Sequence, residues 1–345
     1  MDHSIFQEVK DEYGNEHVVT YIVSNHLSVI CQMYGSVWPR VQKFCFFNAI
    51  LSAVLWYADM KYDNIDLSID PSGHRYLAAL VSFLVIARLK IIYGYSIRAR
   101  EQLNVMTYSA LELVELATTL TSDNRQLEAL EWRKNIALGI IELIRDCVDA
   151  LSYNSELASE LTEDQIIRRR TCFRQPTLTA LKLKKSIVSH RTEFGFEMST
   201  MIQRPVEELK LLSLVDNFID AFFKIDSLIN TPFPFPLVQM ARVILYFWVF
   251  TLPLALIHSR YPLWGICMLI FLLTYGFIGI EFVCIEMSDP FGDDANDFDQ
   301  VNLARIAFED IYLVLYRNDG HEGEVSKVRR IAEDMLSKSR FFNDI

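Results

Sequence analysis

The sequence predicts an all-α membrane protein, with four transmembrane helices in two hairpins and a large helical body outside the bilayer. Three observations carry this expectation. Four long apolar runs stand in two pairs along the 345 residues. The section between the pairs repeats its apolar residues at helical spacing, and strand-like alternation is scarce throughout. The composition, 51% hydrophobic with 23 Phe and 15 Tyr, excludes a disordered chain. Twelve Gly and ten Pro exclude collagen-like and linker-like chains, and six Cys in this length exclude a small disulfide scaffold.

Residues 1–34 form an N-terminal segment. Its opening, Met1 to Glu16, is polar and acidic, unlike a secretory signal or an Arg-rich transit peptide. Residues 35–97 hold the first hairpin. Phe44 to Tyr57 is free of charge but short of the roughly 20 residues a bilayer helix needs, so its flanks must complete the span. Tyr76 to Ile97 is the second run, interrupted by Arg88 and Lys90. Both would be costly facing lipid; they face water or protein and would attract anions.

Residues 98–234 read as a soluble helical region, continuous with the membrane helices. Leu111, Val114, Leu116 and Leu120 fall near helical spacing, as do Ile136, Ile140, Ile141 and Ile144. Thr162 and Gln165 stand in capping-box positions for a further helix. Residues 235–287 hold the second hairpin: Phe235 to His258, with Arg242 near its start, and Tyr261 to Met287, whose first charge is Glu281. Residues 288–345 contain an acidic loop and a charged helical tail. For each apolar run the alternative is a buried helix of a soluble core; four runs in two pairs favour the membrane. Four spans place both termini and the middle section on one side. Arg40, Lys43, Arg98 and Arg100 mark that side as internal, against Lys61, Arg75 and Arg260 opposite.

The net charge of −11 makes nucleic acid an unlikely partner. No GxSxG, Walker loop, HExxH or GxGxxG is present, so the chain is not expected to be an enzyme. The cysteines have no metal-finger spacing, and Arg168 to Arg170 reads as a solvated helix face.

Three segments carry chemistry. Asp289 to Asp299 packs five carboxylates and an Asn into eleven residues, a donor set suited to Ca²⁺. Gly292 would allow the sharp turn that gathers them. The alternative is an acidic loop capping the next helix. Pro232, Pro234 and Pro236 cannot continue a helix and hold the chain extended just before the third span, which reads as a helix entry at a membrane surface. Ala79, Phe83 and Ala87 share one face of the second span. Small residues there mean either close helix packing or a pore lining that Phe83 narrows.

The order of four segments resembles the bestrophin family of anion channels, including its bacterial and photosynthetic members. These are Gly35-Ser36-Val37-Trp38 before span one, Tyr93 with Arg98-Ala99-Arg100 after span two, Thr231-Pro232-Phe233-Pro234-Phe235 before span three, and Asp289-Pro290-Phe291-Gly292-Asp293-Asp294 after span four. The similarity covers roughly residues 20 to 320 and is weakest around Tyr93, where Gly94-Tyr95-Ser96-Ile97 departs from the family's acid-Arg-aromatic series. It implies a homopentamer around one axial pore, with a hydrophobic neck at Ala79, Phe83 and Ala87 and a cytosolic constriction at Val206. It implies a possible Ca²⁺ site at Asp289, Asp293, Asp294 and Asp297 with backbone oxygens of the N-terminal segment. Two of the three neck positions are Ala where relatives are bulky, which implies a wider neck passing chloride and larger anions such as bicarbonate. The expected function is a ligand- or voltage-modulated anion channel in a thylakoid, plastid or plasma membrane. The alternatives are a non-conducting membrane scaffold and an anion carrier, although no inverted repeat of the carrier kind is visible.

Overall fold

The computed structural model describes residues 24–62, 69–122, 127–155, 163–193, 203–231, 234–257, 262–292, 296–320 and 330. Among the described residues every regular element is a helix. In chain order they are α1 (His26–Cys31), α2 (Trp38–Lys61), α3 (Pro71–Leu120), α4 (Leu127–Ser155), α5 (Glu163–Glu193), α6 (Gln203–Asn230), α7 (Phe235–Leu256), α8 (Leu263–Met287) and α9 (Gln300–Asp319). Thr162 of the expected capping box, the side chains of Arg168 to Arg170, and nearly all of the tail from Glu322 lie outside the described residues. The chain divides into two compact units, Met1–Ile97 with Thr231–Asp297, and Arg98–Asn230 with Phe298–Ile345. Helix α3 runs unbroken for 50 residues and contributes to both.

The first unit holds the four candidate membrane spans: α2, the first part of α3, α7 and α8. Each is long and apolar enough to cross a bilayer. Phe44 to Tyr57 does gain its missing length from its flanks, since α2 has 24 residues. The unit is apolar outside and partly polar inside. Phe47, Ile50 and Val54 of α2, Phe247 of α7 and Met268 of α8 are exposed, whereas Asn48, Ser52, Thr274 and Glu281 are buried. Lipid explains that inversion, because it solvates apolar side chains and leaves polar ones to find partners within the protein.

Helix α2 packs chiefly on α8. Val41, Cys45, Asn48 and Ser52 face inward on one, and Ile266, Ile270, Thr274 and Ile278 on the other. The spacings of three and four are those of a single helix face. Asn48 has a specific task. Pro253 sits inside α7 and has no N–H, which leaves the Val249 carbonyl one turn earlier without its helical donor. The Asn48 Nδ2 amide donates to that carbonyl at 3.0 Å and to Thr274 Oγ1 at 2.9 Å. Three membrane helices are thereby joined where a proline would otherwise expose a buried polar group.

The prolines around the start of α7 mark a helix entry, as expected, although Pro236 belongs to the helix itself. Pro234 is the helix N-cap and Pro236 lies within the first turn, where its missing N–H breaks no intrahelical bond. Only the part before Phe235 can hold the chain extended; Pro232 and Phe233 lie outside the described residues.

The second unit is a helical bundle. Helix α4 packs against α5, α6 and α9, and α5 also packs on α6. Ile136, Ile140, Ile141 and Ile144 are buried, as their spacing predicts. A Cβ on Gly139 would stand 2.9 Å from Leu183 Cδ1, so a larger residue there would force the Leu183 side chain to shift. On α3 the buried stripe centres on Ala110, Leu113, Val114 and Ala117, with Leu111 and Leu116 at its edges. Asp146 of α4 accepts from Thr179 Oγ1 of α5 at 2.6 Å. Burial, with the neighbouring Asp146 charge adding to it, pushes the Cys147 thiol well above its usual range, which leaves it unreactive.

Candidate pore-lining site

Helix α3 presents two unlike faces within the first unit. Val81, Val85, Arg88 and Ile92 are buried against the other membrane helices. Tyr76, Phe83 and Ile86 are 81%, 69% and 61% exposed on the opposite side. Ala79 is exposed and Ala87 half-buried on the same side as Phe83. The three expected neck residues therefore share a face that the single chain leaves uncovered. That face carries no Asp, Glu, Lys or Arg from Tyr76 to Leu89. Lys90, one turn beyond Ala87, is exposed.

Arg88 points the other way. It is 7% exposed and pairs with Glu281 of α8. The same Glu281 Oε1 accepts from Arg242 Nε of α7 at 2.6 Å. Of the two surroundings expected for Arg88, protein is the one found, and its charge is met at least in part by a carboxylate. The sequence offered the signal, since an intramembrane charge pairs with another. It did not say which of α7 and α8 would supply the partner.

The acidic segment after α8 is partly described. Asp289 and Asp297 turn their carboxylates toward one point. A Cβ on Gly292 would lie 2.9 Å from Asp297 Oδ2 and 3.2 Å from Asp289 Oδ2. Gly292 ends the expected turn, its N–H donating to the Asp289 carbonyl at 3.4 Å; the turn needs no positive φ, which among the described glycines only Gly35, at +70°, and Gly320, at +77°, have. Gly292 also leaves room for the two carboxylates, which a larger residue would push aside. Asp293 and Asp294 lie outside the described residues. Among the described residues no three His, Cys, Asp or Glu side chains gather round one point. The two converging carboxylates are donors of the kind a hard cation takes.

Asn296 ties this loop to the start of the chain. Its Nδ2 donates to the Gly35 carbonyl at 2.9 Å and to Glu286 Oε2 at 3.1 Å. Arg40 pairs with Glu286 at 2.9 Å. Asp299 takes the capping role instead, accepting from the Asn302 N–H at 2.8 Å at the start of α9. Phe298 packs under the Arg100 guanidinium at 5.5 Å. Val206, in the first turn of α6 in the second unit, is 64% exposed.

Residues 19–311 match the family model described as bacterial/fungal bestrophin protein. A voltage-dependent anion channel-forming protein of Mesorhizobium japonicum is 22% identical over 297 residues, 82% of this chain and 87% of that protein. A protein of the same description from Synechocystis sp. is 25% identical over 113 residues, which span only 36% of its length. Among solved structures, a bacterial bestrophin homolog from Klebsiella pneumoniae superposes with a TM-score of 0.65, covering 80% of this chain and 98% of that one at 15% identity.

Proposed function

This chain belongs to the bacterial and fungal bestrophin family, and from that premise we propose that it forms an anion channel in a membrane. The observation that carries the proposal is the bare, charge-free face of α3. A membrane helix that buries one side on its own subunit and leaves small and aromatic residues on the other has a face for a water-filled path or for other copies. Both channel-forming relatives bear names in keeping with this.

In this reading five copies surround one axis, and each α3 contributes Ala79, Phe83 and Ala87 to the neck. Val206 forms the second constriction. Chloride passes, and bicarbonate passes with it, because two of the three neck positions are Ala and leave the path wide. The membrane is a plasma membrane or a thylakoid or plastid membrane; the family's bacterial and fungal description favours the first. Voltage or a ligand modulates opening. The direct test is chloride efflux from liposomes containing the pure protein: efflux supports the channel, and sealed liposomes with correctly assembled protein contradict it.

Calcium is the proposed ligand. The site is the Asp289, Asp293, Asp294 and Asp297 loop, supported by the convergence of the Asp289 and Asp297 carboxylates. Isothermal titration with Ca²⁺ is expected to give heat in the unmodified protein and much less in Asp294→Ala. No heat in the unmodified protein removes the site.

A further inference from the structure

An uncharged neck tells an anion from a cation only through the ring quadrupole of Phe83. Ala79, Phe83 and Ala87 supply neither charge nor hydrogen-bond donor. We propose that the Arg88–Glu281–Arg242 cluster is the selectivity element: one surplus positive charge, fixed in the protein directly behind the neck, favours anions in the path. This rests on α3 being the pore helix.

The surplus follows from stoichiometry. Two guanidinium groups share the single Glu281 Oε1. Guanidinium does not deprotonate in proteins, so with Glu281 as carboxylate the sum is one positive charge per subunit. A purely structural clamp between α3 and α8 would need Arg88 and Glu281 alone; the second arginine from α7 tips the balance. Glu281 does not use all of the Arg88 donors either. Arg88 Nε is buried and has no hydrogen-bond acceptor among the described residues. The neighbouring ionisable side chains, Tyr246 and Cys284, are neutral types near pH 7.

Placement makes the charge effective. Arg88 follows Ala87 in the chain, so its backbone is one residue from the proposed neck, and the α3 helix is about 10 Å across. The Arg88 and Glu281 side chains are 8% and 4% exposed. Because Arg242 also draws on Glu281, the little-hydrated Arg88 is left undercompensated, and its field is weakly screened across the helix, whereas water screens Arg242 itself in part. The Arg242 side chain is 41% exposed, so substituting it disturbs packing least. The small Ala87 side chain adds little material between the charge and the ion. In a ring of copies the contributions add.

The test is the reversal potential in a KCl gradient across planar bilayers, with Arg242→Gln, Glu281→Gln and Arg88→Lys beside the unmodified protein. Arg242→Gln cancels the surplus and is expected to lower the chloride-to-potassium permeability ratio by about threefold or more. Glu281→Gln doubles the surplus and is expected to raise it. Arg88→Lys keeps the charge and leaves it near the original value. A merely structural cluster would reduce current in every variant without moving the reversal potential in opposite directions. Equal reversal potentials in Arg242→Gln, Glu281→Gln and the unmodified protein overturn the inference while leaving the channel intact. No current from the unmodified protein overturns the channel itself and the inference with it. Should Arg88→Lys fail to assemble, the opposite shifts of the other two variants still decide.

Discussion

The double substitution Ala79→Ile/Ala87→Phe is expected to cut chloride conductance about tenfold. The reasoning is one of barrier height. Both residues lie with Phe83 on the uncovered face of α3. Enlarging them narrows the path and lines it with bulky apolar groups that water leaves easily. A barrier rise of about 1.4 kcal/mol suffices for the tenfold loss. Neither change touches the buried face, where Val81, Val85 and Ile92 hold α3 to its neighbours, so assembly should survive. Phe83→Ala is expected to act in the opposite sense and raise conductance. Single-channel recording checks both. Unchanged conductance in the double variant would move the neck elsewhere on the chain.

The largest stability effect is expected at Arg133, in the second unit. Its side chain is 1% exposed and its guanidinium is well supplied with acceptors. Nε and Nη2 donate to the two Asp319 oxygens at 3.1 and 2.6 Å. Nη1 donates to the Thr121 carbonyl at 2.8 Å and to its Oγ1 at 2.9 Å. One residue thus joins α4 to the end of α9 and to the turn after α3. Arg133→Met is expected to cost about 3 kcal/mol, because it leaves the largely buried Asp319 carboxylate only its Asn318 donor and takes a donor from a buried carbonyl. Arg133→Lys keeps the charge but loses the two-pronged geometry and should also be destabilised. Lys224→Ala is the control. Lys224 pairs with Asp220 at 2.6 Å, but both side chains are more than half exposed, so the loss should stay under about 1 kcal/mol. Unfolding of the three variants in detergent measures the difference. Equal stability in Arg133→Met and Lys224→Ala would show that the buried network contributes nothing.

The apolar runs made the four spans legible because a bilayer imposes both length and hydrophobicity on any helix that crosses it. The α4 core was legible for a similar local reason: Ile136, Ile140, Ile141 and Ile144 repeat with the helical period and are all buried. What the sequence hid is pairing across long separations. Arg88 and Glu281 lie 193 positions apart, and Arg133 and Asp319 lie 186 apart. Periodicity places each on a face but does not say which face meets which. Asn48 shows the same limit. Its partner is a backbone carbonyl released by Pro253, and such a pairing has no signature in either segment. Gly292 was expected to allow a turn, and it does close one on Asp289; that it also leaves room for the Asp289 and Asp297 carboxylates was not legible.

The charges also sort differently once the fold is known. The −11 of the whole chain says little about the permeant ion. Asp299 caps α9, while Glu281 balances one of two arginines behind the face that Ala79, Phe83 and Ala87 share. Arg88 was expected to attract anions from a place facing water or protein. It faces protein, so any pull it exerts acts through the helix as a field and not by contact.

Planar-bilayer recording of the purified protein in chloride and in bicarbonate, with and without Ca²⁺, tests the channel most directly. Discrete unitary currents that reverse near the anion equilibrium potential and grow with anion concentration are the predicted result. A silent bilayer holding assembled protein would indicate a scaffold, and a saturating flux of low turnover without unitary steps would indicate a carrier; either would contradict the account.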